Sequence, residues 1–238
     1  MKIRIYNNTL NPDLWQDGNT LKPEIRDALL TIAQDFYKDT ELQAPIEDIY
    51  MLGSSANYNW SPTSDIDLHV LIDFKKLNIR TLNTSSHIDP EYSKKLVDAI
   101  TSNWNKNHNV TIKGRRVEIY IQDVNEKNRS TGVYSVLNNK WVMMPQKIRV
   151  VLDNKLIQQK YTTMVLQIKE AIQEQNLDKL KNVLKALYNM REAGLSKTGE
   201  YSVENIVFKT LRSKGWIDQL KNTVNKLYDS QVSIKEIR

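Results

Sequence analysis

No cysteine occurs among the 238 residues. That excludes disulfides, a thiolate metal site and a cysteine nucleophile, and leaves a reducing compartment permitted. Histidine is nearly as scarce, with 3 in the chain, and His87 and His108 lie in polar segments without metal-ligand spacing. No apolar stretch reaches the roughly 18 residues a membrane span needs, and no leader-like apolar segment follows Met1. Neither membrane spanning nor secretion is expected, and the cytoplasm is the default location. Internal repeats and low-complexity tracts are missing too. What remains, 40% hydrophobic and 26% charged residues, is an ordinary globular composition, long enough for two modest domains or for one with an appendage.

Charge is unevenly spread. Residues 146–238 hold 17 Lys and Arg against 10 Asp and Glu, a net of +7, while residues 1–145 come to −1. A positive C-terminal part suits a polyanionic partner such as RNA, and equally suits a solvated helical surface.

The most informative stretch runs from Gly53-Ser54-Ser55 to Ser64-Asp65-Ile66-Asp67-Leu68. Ile49 to Leu52 form a short apolar run stopping at Gly53, which reads as a buried strand entering a tight turn. From Asp65 the pattern alternates, so Asp65, Asp67 and His69 share one face of a second strand and Ile66, Leu68 and Val70 the other. Two carboxylates at i and i+2 lie roughly 7 Å apart at the Cα atoms. That is close enough to grip one or two divalent cations and costly to leave unpaired. Beside a glycine that lets the backbone approach closely, the Ser54 hydroxyl and its neighbouring amides can donate to phosphate oxygens. Tyr58 and Trp60, in the intervening turn, are read first as anchors of that loop and only second as stacking partners for a base.

Elsewhere the chain reads in order. An alternating piece, Lys2 to Tyr6, precedes a polar loop through Asn11-Pro12 and Asp17-Gly18. Pro23 to Lys38 is a helix with one apolar stripe. Residues 74–89 are polar and irregular, and a helix follows from Asp89-Pro90-Glu91 with Leu96, Val97, Ile100 and Trp104 at helical spacing. Val110 to Ile121 read as a hairpin about Lys113-Gly114, whose second strand places Val117, Ile119 and Ile121 on one face and Glu118 and Tyr120 on the other. A further hairpin covers Gly132 to Met144. Beyond Pro145 the pattern is helical, broken at Gly194, Gly199 and Gly215, with Ser196 to Ser202 read as a loop and Ser202 as the cap of a helix carrying Glu204. Lys197 and Lys209 could reach a substrate phosphate from that region.

Gly53-Ser54, then Asp65-Ile66-Asp67, resembles the hG[GS]…Dh[DE]h signature of the DNA polymerase β-like nucleotidyltransferase superfamily, and Ser-Asp-Ile-Asp-Leu resembles its minimal nucleotidyltransferase and oligoadenylate-synthase-like branches. The likeness spans residues 46 to 123 and fades over the helical remainder. It implies a third acid on a following strand. Glu118 matches by position, though Asp is commoner there, and Asp123 is the alternative. It implies that Ser54, with Gly53 and Ser55, holds the outgoing phosphates. It further implies that Asp65 and Asp67 bridge two Mg²⁺ ions, or Mn²⁺, and that Glu118 completes the site and accepts the acceptor hydroxyl's proton. His69 is read as a structural neighbour of these acids before a catalytic one.

The expected fold is α+β: a polymerase β-like palm, with a mixed sheet and helices on one face, over residues 1–145, then an α-helical bundle over residues 146–238. The expected activity is transfer of NMP, AMP from ATP foremost, to an acceptor hydroxyl at an RNA 3′ end or on a protein. The alternatives are a silent nucleotide- or RNA-binding module and a small-molecule, aminoglycoside-type transferase.

Overall fold

A computed structural model describes residues 7–17, 19–79, 90–128, 130–147 and 152–233. The expected piece at Lys2 to Tyr6 lies outside them. The described residues divide into two compact units, one up to residue 147 and one from residue 152.

The first unit is built on a mixed sheet. In chain order its elements are β1 (Trp15–Gln16), β2 (Thr20–Leu21), α1 (Pro23–Asp39), β3 (Leu42–Gln43), β4 (Ile46–Leu52), β5 (Ile66–Ile72), β6 (Asn78–Ile79), α2 (Pro90–Asn107), β7 (Thr111–Ile112), β8 (Arg115–Asp123), β9 (Val133–Ser135) and β10 (Lys140–Met143). Six strands form one sheet in the order β10-β9-β4-β5-β8-β7. Only β5 and β8 run parallel within it. A parallel pair needs a crossover rather than a hairpin, and the segment carrying α2 supplies it.

Alternation decides the two faces. Ile49 and Met51 of β4, Ile66, Leu68 and Val70 of β5, and Val117, Ile119 and Ile121 of β8 are buried together. Ile25, Leu29, Ala33 and Phe36 of α1 cover them in one stripe, joined by Val97 and Trp104 of α2. The opposite face carries Tyr50, Asp67, His69, Glu118, Tyr120 and Gln122. Past Arg116 the short β7 no longer shields the outer edge of β8. There the Asn105 side chain donates to the Ile119 carbonyl at 2.7 Å and accepts from its N–H at 3.0 Å, satisfying an edge that would otherwise recruit another strand.

The β1–β2 hairpin was read as polar loop. It forms because Leu10, Leu14, Trp15 and Leu21 are buried. Trp15 stacks on Trp141, with ring centroids 4.8 Å apart, and meets Tyr134 edge-on at 5.0 Å.

The second unit consists of α3 (Asn154–Glu174), α4 (Leu177–Thr198), α5 (Val203–Ser213) and α6 (Trp216–Val232) around Ile157, Ile168, Leu180, Leu187, Phe208, Leu211 and Leu220. One expectation is corrected here: α4 does not break at Gly194 but runs on to Thr198, and a single 3₁₀ turn, Gly199–Tyr201, leads into α5. Gly194 is needed for clearance. A Cβ there would stand 2.6 Å from both Glu204 Cβ and Ser202 Oγ, where α4 meets the start of α5. Ser202 caps α5 by accepting from the Asn205 N–H at 3.2 Å. Lys160 donates to Glu204 and, as the main cause, holds its carboxyl below the usual range, with a smaller contribution from nearby Lys197.

Gly194→Ala should cost about 1–3 kcal/mol of stability by overpacking, read from the denaturant midpoint. The Lys160–Glu204 pair should stabilise at neutral pH and be lost as pH falls through the lowered Glu204 value. Lys160→Met should therefore flatten the acid limb of unfolding below about pH 4.3, by less than about 1 kcal/mol because the pair is partly exposed.

Candidate functional site

Gly53 ends β4 with φ +69° and ψ −156°, a region that in practice only glycine occupies. A Cβ there would lie 1.9 Å from Asp67 Oδ2. The Asp67 carboxylate is thus seated against the bend, a position that only a missing side chain allows. Ser54–Ala56 then form a 3₁₀ turn. Its hydroxyls already have partners: Ser54 Oγ donates to Ser64 Oγ at 3.0 Å, and Ser55 Oγ donates to the Asp65 carbonyl at 2.6 Å. The buried Trp15 indole donates to the Ser55 carbonyl at 2.9 Å, so the aromatic cluster under β9 and β10 also fixes the bend.

The loop from 58 to 64 is clamped in the same way. Arg115, only 6% exposed, donates to the carbonyls of Ser61 and Pro62 at 2.7 and 3.0 Å and to Asp13 at 3.3 Å. Its guanidinium lies over the Trp60 ring, and Trp60 itself donates to the Thr9 carbonyl. Tyr58 is buried. Both aromatics therefore anchor the loop, and Arg115 clamps it.

Parallel pairing sets Asp67 directly beside Glu118 and His69 beside Tyr120. Neighbouring strands are about 4.8 Å apart, so the two carboxylates share one patch of the polar face. Asp65 immediately precedes β5, two residues before Asp67. Asp123 does not belong to the patch. It pairs with Ile72 at the far end of the strands, on the opposite parity from Glu118, and caps the next turn by accepting from the Asn125 N–H at 3.0 Å. Glu118 accepts from the Tyr120 hydroxyl at 2.9 Å. His69 is bonded through Nδ1 to Gln122 Oε1 at 2.8 Å, and its pKa is pushed down to about 4, chiefly by burial, so it is neutral near pH 7.

Among the described residues, no group of three or more His, Cys, Asp or Glu stands close enough to hold a metal as placed. The donor chemistry nonetheless fits a hard cation. Carboxylate oxygens suit Mg²⁺, which is ordinarily held by one or two carboxylates together with substrate phosphates and water rather than by an all-protein cage. Asp67 and Glu118 supply such a pair, with Asp65 adjacent.

Glu118 and Tyr120 also line a cleft of about 520 Å³ between β8 and α2. Asp98, Ser102 and Lys106 face it from the helix and Arg116 from the strand. The Arg116 Nε–H is buried without a partner among the described residues. Tyr50, paired with His69 on the polar face, has its pKa raised by burial and by Asp48. The polar face around Glu118 thus also carries Tyr50, Tyr120 and Arg116, which strand parity and register could have suggested.

No protein-family model matches the chain, and no curated protein does. Among solved structures it is similar to the spectinomycin adenyltransferase of Enterococcus faecialis, crystallised with ATP and spectinomycin. The identity is 13%, covering 90% of this chain and 92% of that one, with a TM-score of 0.26. That score is too low to bear on fold or function, so the reading rests on this chain's own residues. No helix among the described residues is long and apolar enough to cross a membrane.

Gly53→Ala should destabilise the first unit by about 1–3 kcal/mol. In an Asp67→Ala background the steric part of that loss should shrink, giving a measurable coupling in a double-mutant cycle by chemical denaturation. Additive losses would separate the bend from Asp67.

Proposed function

We propose that the chain is a metal-dependent nucleotidyltransferase of the polymerase β-like kind, moving NMP, with AMP from ATP foremost, onto an acceptor hydroxyl. One observation carries the reading: Asp67 and Glu118 are register neighbours on the polar face, and Asp67 is seated against the Gly53 bend. A glycine-led turn offering amides beside paired carboxylates is what holding a triphosphate near a cation requires.

In the proposed reaction the acceptor oxygen forms a bond to the α-phosphorus, the α–β phosphoanhydride bond breaks, and pyrophosphate leaves. Ser54 and the amides of residues 53–55 donate to the outgoing phosphates, the Ser54 hydroxyl exchanging Ser64 for a phosphate oxygen. Glu118 stands between Asp67 and the cleft, where it accepts the acceptor's proton. Mg²⁺, two ions in the full arrangement and replaceable by Mn²⁺, would be held by Asp65, Asp67 and Glu118, and would supply charge neutralisation at the phosphates. Placement and electrostatics provide the acceleration, so His69 need not take part.

Residues 1–145 would be the catalytic domain and residues 146–238 the helical domain serving the acceptor, with the cytoplasm as the working compartment. The polar cleft beside Glu118 suits a small hydroxyl-bearing acceptor, while the +7 charge of residues 146–238 suits RNA. A protein hydroxyl is the third acceptor class. A silent nucleotide-binding module is favoured by one observation, that the acids are not gathered three together among the described residues.

Incubation with each labelled NTP, Mg²⁺ and a mixture of cellular RNA, protein and small molecules should release pyrophosphate and move label to one acceptor class. Asp67→Ala and Glu118→Gln should each lower the rate at least about 100-fold, as removal of a group acting in the transition state does. Nucleotide affinity without turnover would leave the silent module. If RNA is the acceptor, affinity should fall steeply with salt, and a flat response would point to the small or protein acceptor.

A further inference from the structure

The polar face carries more order than a pair of carboxylates needs. Gln122 Nε2 donates to the Glu126 carbonyl at 3.3 Å and to Asn128 Oδ1 at 3.0 Å. Those two bonds assign the amide, so Oε1 is the atom that meets His69 Nδ1 at 2.8 Å. An amide oxygen only accepts, so Nδ1 carries the proton, and both the tautomer and the plane of the imidazole are set. The ring lies 4.9 Å from that of Tyr120, tilted by 37°, its direct partner across β5 and β8. The Tyr120 hydroxyl in turn donates to Glu118 Oε2.

Glu118 has reason to need such help. Asp67 is short and already seated against the bend, whereas a glutamate has one more rotatable bond, and ordering it costs up to about 1.5–2 kcal/mol of side-chain entropy. One oxygen fixed by a phenol leaves the other presented in a narrow range of directions. Carboxylates that bind metal are commonly oriented by such a hydrogen bond.

We infer that Tyr120 is a positioning residue for Glu118, and that His69 and Gln122 form the brace holding Tyr120, so that the third carboxylate is aimed before any cation arrives. This rests on the nucleotidyl-transfer reading. Tyr120→Phe keeps the ring against His69 and removes only the donor. Gln122→Leu leaves Tyr120 intact and removes the acceptor that fixes the imidazole.

The test is calorimetric titration of Mn²⁺ into the full chain with an α,β-methylene ATP analogue, alongside thermal unfolding. Tyr120→Phe should weaken Mn²⁺ binding by about 10–100-fold with an unchanged unfolding midpoint. Gln122→Leu should weaken it less, and should replace the single Nδ1–H pattern of His69 in ¹⁵N spectra with a mixture of tautomers. A folded Tyr120→Phe variant binding Mn²⁺ as the wild type does would overturn the inference and leave the enzyme reading standing. A wild type that binds no Mn²⁺ with the analogue would remove both.

Discussion

The parallel pairing of β5 with β8 is the constraint on which the rest depends. Side chains alternate along both strands, and a parallel register offset by one residue would turn Glu118 into the core and a buried Val117 or Ile119 out beside Asp67. Ile66, Leu68 and Val70 against Val117, Ile119 and Ile121 prevent that slip, because exposing such a row would forfeit about 1.5–3 kcal/mol for each side chain. The hydrophobic core therefore holds the acids together, although neither acid contributes to it. Asn105 seals the edge of β8 at Ile119, and the α2 segment provides the crossover that makes a parallel neighbour reachable.

A second constraint comes from the other side of β5. Gly53 leaves room for the Asp67 carboxylate, and the bend is fixed from beneath through the bond from Trp15 to the Ser55 carbonyl. Trp15 in turn is held by Trp141 and Tyr134. A small polar turn is thus made rigid by an aromatic cluster far from it in sequence, and a buried arginine does the same for the adjoining loop. Rigid scaffolding under a polar surface is the usual way to hold catalytic groups, since groups positioned beforehand need no reorganisation during reaction.

Local pattern in the sequence carried much of this. The strands read at Ile49 to Leu52, from Asp65 onward and up to Ile121, the stripes of α1 and α2, and the helical character beyond Pro145 follow from periodicity, and Asp65, Asp67 and Glu118 are visible as acids in alternating stretches. The β1–β2 hairpin was missed because its strands are two residues long, and Trp15 and Leu21 declare themselves only by what they pack against. Gly194 was misread because a glycine that breaks a helix and one that lets two helices touch look the same in one dimension. Ser55 was marked as a phosphate holder by the family resemblance, and only the fold reveals that its hydroxyl is bonded to the Asp65 carbonyl. The bond between His69 and Gln122 joins residues 53 positions apart, and no local pattern announces it.

On the proposed function, Asp67 and Glu118 bind one divalent cation together when nucleotide is present. The most direct measurement is paramagnetic broadening of ¹³C-labelled side-chain carboxylates by substoichiometric Mn²⁺ with a non-hydrolysable ATP analogue. The Asp67 and Glu118 resonances should broaden first and in parallel, with Asp65 close behind and Asp123 unaffected. Broadening centred on other carboxylates, or of Asp67 without Glu118, would contradict it.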